Sequence, residues 1–374
     1  MKLCIVTHKV IKGDGQGRVN YETVWEAIRR GHHVTVLASC VAPELTQNSQ
    51  VNWIPISVKK YPTYLLHNLL FAWQSSVWLH QHRHTLDIIQ VNGAITWVEA
   101  DVNAVHFVHS AWLRSPVHTS RLRRDVYGRY QWLYTALNAY WEKHAFHQSK
   151  TVVATSGQVK QGLIDIDIPL ENLRSIANGV DLQEFSPGSA DRQPFGLPEG
   201  VPLALFAGDI RTPRKNLDTV LQALVQVPEL HLAVAGIIEG SPYPQLATRL
   251  RVNDRVHFLG LRNDLPELMR AVDFLVFPSR YEPFGLVVIE AMASGLPVIT
   301  ATTTGAAEII TPACGIVLSD PDDAPALAQA LHTLINNPDQ RKRMGQAART
   351  IAEQYSWANV ARNYVDLFEE LNPS

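Results

Sequence analysis

Two glutamates, Glu282 and Glu290, stand eight residues apart in YEPFGLVVIEAM (281–292), within one of the most apolar stretches of the chain. A carboxylate there needs a partner, because burying an unpaired charge is costly. Eight residues are a little over two helical turns, so one helix face can present both acids. If Glu282 stands just ahead of the helix, at the carboxyl end of the FLVFPS strand, the N–H groups of Phe284, Gly285 and Leu286 lie beside it without intrahelical partners. Two acids with open amides suit the hydroxyls and anionic oxygens of a ligand. The plainer roles are an N-terminal cap for Glu282 and a core salt bridge for Glu290. A second cluster lies in GDIRTPRKNLDTVLQAL (208–224). Arg211, Arg214 and Lys215 crowd a strand-to-helix loop, with Asn216 placed to cap the helix. Three cations sit badly at the positive end of a helix dipole unless they share an anion such as a diphosphate. The alternative is a solvated basic turn.

Three further places invite chemistry. Gly13-Asp14-Gly15-Gln16-Gly17 follows the first strand and precedes a helix, where glycine amides approach phosphate or sugar oxygens. It lacks the GxGxxG spacing, since position 20 is Asn, and a flexible turn is the competing reading. TTTGAAEII (302–310) puts Glu308 after another strand, as a ligand acid or as the start of a surface helix. His109, in VHFVHSAW, is read as ending a strand of the first domain; His106 in the same strand competes with it. The run 112–150 interleaves seven Arg and Lys with Trp and Tyr, as an acceptor site, a patch for anionic lipid, or a solvated amphipathic helix. DPDDAP (320–325) reads as helix capping rather than a metal loop, and DIDI (165–168) has no second cluster of ligands. No metal site is expected.

Stepping along the chain, short Val/Ile-rich runs alternate with helical patterns, which implies parallel sheets covered by helices. Strands are expected at KLCIV, HVTVLA, DIIQV, NAVHFVH and KTVVATS, with helices over 18–30, 64–81 and 121–147. FSPGSADRQPFGLPEGVP (185–202) reads as a linker. The alternation restarts after it and ends in three helices, 324–336, 339–354 and 356–371. The fold class is therefore α/β, with two doubly wound Rossmann-like domains: 1–184, and 203–356 after the linker. Ligands of such sheets sit at the strands' carboxyl ends, here expected in a cleft between the domains. With 374 residues, two cores are expected. Hydrophobic residues make up 46% and charged residues 18%, with a net charge of −2, so no global field draws the chain to nucleic acid. Cys4, Cys40 and Cys314 read as reduced thiols, two of them in core strands. MKLCIVTH reads as a strand rather than a leader, and 64–81 is too broken by polar residues to span a bilayer. A cytoplasmic enzyme is expected.

These residues carry a resemblance. Glu282 and Glu290 within EPFGLVVIEAMASGLPVI, supported by RRGHHVTVL (29–37), NGVD (178–181), FAGDIRTPRKNLDTVLQAL and TGAAEII, resemble the retaining glycosyltransferases of family four, which have the GT-B fold. The matches run in order from about residue 13 to 310. The resemblance implies transfer of a hexosyl group from a UDP- or GDP-linked sugar to an acceptor hydroxyl, with retention and without a cofactor. It implies that Glu290 binds the ribose and Glu282 the donor sugar, beside the amides of Phe284, Gly285 and Leu286. Lys215 matches the lysine on the diphosphate. The family's Gly-Arg at the strand end is here Gly208-Asp209, so Arg211 substitutes for the arginine, with Arg214 as rival. Gly15, with Gly17, matches the amino-terminal loop, His109 the histidine near the transferred sugar, and Glu308 the acid of the phosphate side. The base is expected near HFLGLRND (257–264), and the last helix, about 357–374, on the first domain. The acceptor is left as a saccharide, a lipid-linked glycan or a small molecule, with peripheral contact to the inner face of a membrane. A sugar-nucleotide epimerase and a non-catalytic glycan-binding protein are the alternatives.

Overall fold

Runs rich in Val, Ile, Leu and Ala form most of the strands, as expected where helices cover both faces of a parallel sheet. The computed structural model describes residues 1–58 and 63–372. It divides into one unit of Met1–Gly179 with the helix that begins at Trp357, and a second of Val180–Ser356. In the first unit, β1 (Lys2–Val6), β2 (His33–Ala38), β3 (Val51–Pro55), β4 (Ile88–Val91), β5 (Val102–Val105), β6 (Thr151–Ala154) and β7 (Leu173–Ser175) build one parallel sheet. Its order is β3-β2-β1-β4-β5-β6-β7. Leu3 pairs with Val34 on one side and Ile88 on the other, so the winding reverses at β1. Helices α1 (Gly15–Arg29), α2 (Tyr64–His82), α3 (His109–Arg114), α4 (Thr119–Leu122) and α5 (Val126–His147) follow in the connections.

The second unit repeats the plan with β8 (Leu203–Ala207), β9 (His231–Ala235), β10 (Val256–Gly260), β11 (Phe274–Phe277), β12 (Val298–Ala301) and β13 (Gly315–Leu318). The order is β10-β9-β8-β11-β12-β13. Leu205 pairs with Ala233 and with Leu275, which puts the reversal at β8. Its helices include α6 (Leu217–Val225), α7 (Leu286–Ala293), α8 (Ala324–Asn336) and α9 (Pro338–Ala352). The chain then returns to the first unit as α10 (Trp357–Leu371) along α1, where Arg30 binds Asp366 at 2.7 Å and Glu369 at 2.8 Å.

Several expectations change. Residues 185–202 are not a free linker. Phe185 and Leu197 are buried, and the Arg192 guanidinium reaches the carbonyls of Ala271, Pro198 and Val201 and the Asp273 carboxylate, strapping the segment to the second unit. The strand expected at 103–109 stops at Val105. The helix at 121–147 is broken before Val126, where Asp125 caps a new helix through the N–H of Gly128 at 2.9 Å. The apolar stretch 64–81, whose composition reads as a core helix, is helical but only half-buried: it buries Phe71, Ala72 and Leu79 and turns Leu66, Trp73 and Val77 to solvent. All three cysteines are free; Cys4 and Cys314 are buried and Cys40 is exposed.

Candidate active site

Ligands of doubly wound sheets sit beyond the carboxyl ends of the strands where the winding reverses. In the second unit those strands are β8 and β11. Gly208 follows β8, and the aliphatic stem of Lys215 lies over it, with Cγ 3.5 Å from where a Cβ would stand. Gly236 is forced to be glycine, because its Cβ would come 2.2 Å from the Gly208 carbonyl. The Lys215 ammonium stands 5.0 Å from the centre of the Phe277 ring and donates to Glu282 Oε2. Arg214 Nη1 lies 3.5 Å from the same oxygen and donates to the Tyr281 carbonyl at 3.3 Å. Burial lowers the Lys215 pKa, and Glu282 pulls it back up. Glu282, read from the sequence as an acid for ligand hydroxyls or as a helix cap, is held here by two cations. Of the two rival arginines, Arg214 joins Lys215. Arg211 pairs with Asp209, with contacts of 2.9 and 3.1 Å; this bond depresses the Asp209 carboxyl against burial, which raises it.

The turn carrying the cations is a 3-10 segment, Pro213–Lys215. Asn216 ends it at φ +67° and does not cap α6 with its side chain, contrary to expectation. Its buried amide instead donates to the carbonyls of Pro278 at 2.9 Å and Pro321 at 2.6 Å, tying the turn to the end of β11. Arg280 supplies a second tie that the sequence did not single out. It grips Asp218 bidentately at 2.9 and 2.7 Å, reaches Asp322 at 2.6 Å, and donates to the Pro213 carbonyl at 2.8 Å.

Glu282 precedes the helix. Its backbone bridges the turn 303–305 beyond β12, its carbonyl accepting from the N–H of Gly305 at 2.8 Å and its own N–H donating to the Thr303 carbonyl at 3.1 Å. Gly285 then starts α7 at φ +93°, where a Cβ would stand 3.0 Å from Thr304 Cγ2 and 3.2 Å from Glu282 Cγ. Only glycine suits that turn. Among the described residues, no backbone carbonyl takes the N–H groups of Phe284, Gly285 or Leu286. Glu290 lies on the second turn of α7 and is partly exposed. No hydrogen-bond donor or cation holds its carboxylate among the described residues. Burial pushes its pKa up to about 7, and Glu184 adds repulsion. Glu308 is exposed in the 3-10 turn Gly305–Ile309 beyond β12, where its charge adds to the burial that raises the Tyr355 pKa.

An open pocket of about 300 Å³ lies beside Gly208, walled by Gly236, Ile237, Leu261, Arg262 and Val287. Asp209 and Arg211 line it too; Arg262 is engaged with Asp264 and stacks over Phe195 at 5.3 Å, and Arg211 is engaged with Asp209, so both cations of this wall are already paired.

The first unit holds the remaining candidates. His109 does not end a strand; it opens α3. One carboxylate, Glu142, takes both its N–H at 2.8 Å and its ring Nδ1 at 2.6 Å. With the proton on Nδ1, Nε2 is left as an acceptor. Glu142 is buried on the inward stripe of α5 with Thr135, Asn138 and Phe146. That three- and four-residue spacing was the available signal for it. Gly15 and Gly17 lie inside the first turn of α1 rather than in an open loop. The Gly17 N–H is occupied by the Asp14 carboxylate at 2.8 Å, and a Cβ there would crowd Asp14 and the Ile11 carbonyl. A pocket of about 500 Å³ opens at this helix end, lined among others by Thr7, His8, Gln16, Ser39 and Asn68. Burial lowers the His8 pKa to about 4, so its imidazole is neutral at physiological pH.

Comparison with known proteins places this geometry. Residues 13–184 match the family described as Glycosyltransferase Family 4, and residues 189–351 match Glycosyl transferases group 1. A D-inositol 3-phosphate glycosyltransferase of Corynebacterium kroppenstedtii is 28% identical over 75% of this chain and 65% of its own length. The matches to this and two further relatives of the same name span 65%, 59% and 63% of those proteins' lengths. Among solved structures, a sucrose-phosphate synthase from Thermosynechococcus elongatus has a TM-score of 0.79 at 21% identity, covering 99% of this chain and 98% of its own. The Anabaena protein HepE in complex with UDP-glucose has a TM-score of 0.74 at 21% identity, covering 99% and 100%. The fold is that of these proteins, two Rossmann-like units in one chain. The chain belongs to the group 1 glycosyltransferases, its first unit matching family 4.

Proposed function

We propose that the protein transfers a hexosyl group from a UDP-linked sugar to an acceptor hydroxyl, with retention of the anomeric configuration. The observation that carries this is the Lys215–Arg214–Glu282 cluster at the winding reversal of the second sheet. The bond from the anomeric carbon to the diphosphate oxygen breaks, and the charge left on the diphosphate falls to Lys215, Arg214 and the amides at 284–286. Glu290 accepts the ribose hydroxyls, and Glu282 accepts hydroxyls of the sugar. The acceptor oxygen attacks from the face the diphosphate leaves and gives its proton to a phosphate oxygen, so no protein nucleophile and no cofactor enters. His109, oriented by Glu142, hydrogen-bonds the sugar through Nε2. The pocket around Thr7, His8, Gln16 and Asn68 takes the hydroxyl-rich acceptor. The solved relative with UDP-glucose supports UDP as the donor nucleotide, and the name of the D-inositol 3-phosphate glycosyltransferases supports a phosphorylated polyol acceptor.

The test is product analysis by NMR with UDP- and GDP-sugars, each with and without a panel of polyols and saccharides. A glycoside of the donor's own anomeric configuration is expected, formed only with acceptor. An inverted glycoside refutes retention. A changed sugar nucleotide made without acceptor identifies an epimerase and overturns the reading.

A further inference from the structure

The first unit has a second opening beside the pocket at the end of α1. It is a cavity of about 100 Å³ between α2, α5 and the chain that follows β4. Asn68 lines both openings; Tyr64 and His67 continue the wall of the first, Leu69 and Ala72 that of the second. The Asn68 amide has one orientation. Asn138 Nδ2 donates to the Tyr134 carbonyl at 2.7 Å, so Asn138 Oδ1 is the atom that meets Asn68 at 3.3 Å, and Asn68 presents Nδ2 to it. The same Nδ2 reaches the Tyr134 hydroxyl at 3.3 Å. Both N–H groups of Asn68 are then spent, and its Oδ1 is left as an acceptor without a partner among the described residues. The rest of the lining is mixed. Trp97, Tyr140 and Trp141 contribute aromatic surface, and Thr96, His144 and Gln148 contribute hydrogen-bonding groups. No Asp, Glu, Lys or Arg stands among the described residues that line it.

We propose that this cavity is a second saccharide subsite, which takes a neutral sugar ring linked to the ring held beside Thr7 and Gln16. The lining decides for this occupant. An ionic group finds no counter-charge there. An acyl chain would leave Asn68 Oδ1 without hydrogen bonds, which is costly. A sugar ring satisfies both kinds of wall, with its C–H face on the aromatic side chains and a hydroxyl donating to Asn68. The void is smaller than the ~150 Å³ that encloses a benzene ring, so it receives one edge of the sugar. The remainder lies against Trp97 and Tyr140, which are 54% and 73% exposed. The two stretches of α2 wall are about one helical turn apart, roughly 5.4 Å, which is of the order of one pyranose unit. The acceptor therefore carries at least one neutral ring beyond the one that is glycosylated. The identity of this ligand as the acceptor rests on the proposed transfer; the saccharide site itself does not.

Saturation-transfer NMR on the whole chain, titrated without donor, tests it. The two-ring probes are maltose, cellobiose and lactose; the one-ring probes are methyl α- and β-D-glucopyranoside. At least one disaccharide should bind roughly fivefold or more tightly than the methyl glycosides, with both of its rings receiving saturation. Trp97→Ala with Tyr140→Ala should bring that disaccharide down to the one-ring affinity and leave the methyl glycosides and UDP unchanged. Asn68→Leu should weaken probes of both sizes, since its wall serves both openings. Circular dichroism checks that each variant is folded, and Tyr140→Ala alone replaces a double variant that is not. Equal affinity for one-ring and two-ring probes overturns the proposal, as does a disaccharide affinity untouched in the folded variant. So does saturation of 1-hexanol that the same variants abolish while no disaccharide binds, which would assign the cavity to an apolar group. A disaccharide that binds as expected but is never glycosylated when UDP-sugars are added supports this site and counts against the transfer reading alone.

Discussion

Replacing Glu290 by glutamine separates what this carboxylate costs the fold from what it gives a ligand. The substitution keeps the shape and removes the charge. Burial holds the Glu290 pKa at about 7 against an ordinary 4.5. Over that interval the folded protein keeps a proton that the unfolded chain has released. The stability contribution is therefore full below the unfolded value, falls as pH rises through the interval, and is gone above about 7. At ~1.4 kcal/mol per pH unit the ceiling is about 3 kcal/mol, and the residue's partial exposure brings the expected loss to about 2 kcal/mol. Glu290→Gln should thus lie within about 0.5 kcal/mol of the parent at pH 5 and exceed it by about 2 kcal/mol at pH 8. All nine tryptophans lie in the first unit, so far-UV circular dichroism during urea unfolding reports on both units while tryptophan fluorescence isolates the first. Ligand binding should respond in the opposite sense. A carboxylate bonded to ribose hydroxyls contributes about 1.5–3 kcal/mol per charged hydrogen bond, so uridine should bind the variant at least tenfold more weakly at pH 8. Uridine is preferred to UDP because it has no phosphate titrating in the same range. A stability difference equal at pH 5 and pH 8, or unchanged uridine affinity in calorimetry, refutes the reasoning.

Four further outcomes follow from the same geometry. Lys215→Met should weaken UDP binding by about 100-fold and leave uridine within about twofold, read by calorimetry, because a charged hydrogen bond to phosphate contributes up to ~3 kcal/mol; equal loss for both removes the lysine from the diphosphate. Arg214→Ala should lower kcat/KM strongly, whereas Arg211→Ala, which loses an exposed pair with Asp209 at the pocket wall, should lower it far less and leave the thermal midpoint unchanged. Glu142→Gln presents one acceptor and one donor to a residue that offers two donors, so kcat should fall about 10- to 100-fold with donor KM steady, and ¹⁵N NMR should show a changed His109 tautomer. Arg280→Ala breaks the grip on Asp218 and the Pro213 carbonyl and should cost the second unit about 2–3 kcal/mol in urea unfolding, with UDP affinity reduced.

Most strands were legible because a parallel sheet buried on both faces demands continuous apolar runs; β3 (VNWIP) and β7 (LRS), polar and half-exposed at the two edges of the first sheet, carry no such run and were not expected. The place of Glu282 was legible too, since Pro283 and Gly285 leave no room for a helix to begin earlier. What failed were pairings made across distant sequence. Glu282 meets Lys215 only because β8 and β11 are neighbours, a fact of strand order that no local pattern states. Arg280 looked like an ordinary charged residue beside a tyrosine until Asp218 and Asp322 closed on it. Asn216 had the residue type of a cap, yet the αL turn and two distant carbonyls claimed its side chain. His109 was displaced because the apolar run NAVHFVH outlasts the sheet: Val105 is the last paired residue, and Glu142 gathers the following backbone into a helix.

The ion pair that Glu282 makes with Lys215 alters how the proposed site works. A buried lysine and glutamate in direct contact satisfy each other at low cost, whereas either alone in that place is strongly unfavourable. A diphosphate arriving at Lys215 competes with Glu282 for the same ammonium, and Arg214, already within 3.5 Å, is the cation positioned to remain with one of them. As Lys215 turns to phosphate, Glu282 gives up an ammonium and needs other donors, and the hydroxyls of a sugar carried on that same diphosphate are placed to supply them. UDP alone should therefore bind less favourably than UDP-sugar by more than the sugar's contact area explains, because it breaks the pair without replacing the donors Glu282 loses. Glu282→Gln removes that dependence. On this argument the variant should narrow the affinity gap between UDP and UDP-sugar while abolishing transfer, and a gap left as wide as in the parent would show that Lys215 and Glu282 act on the ligand separately.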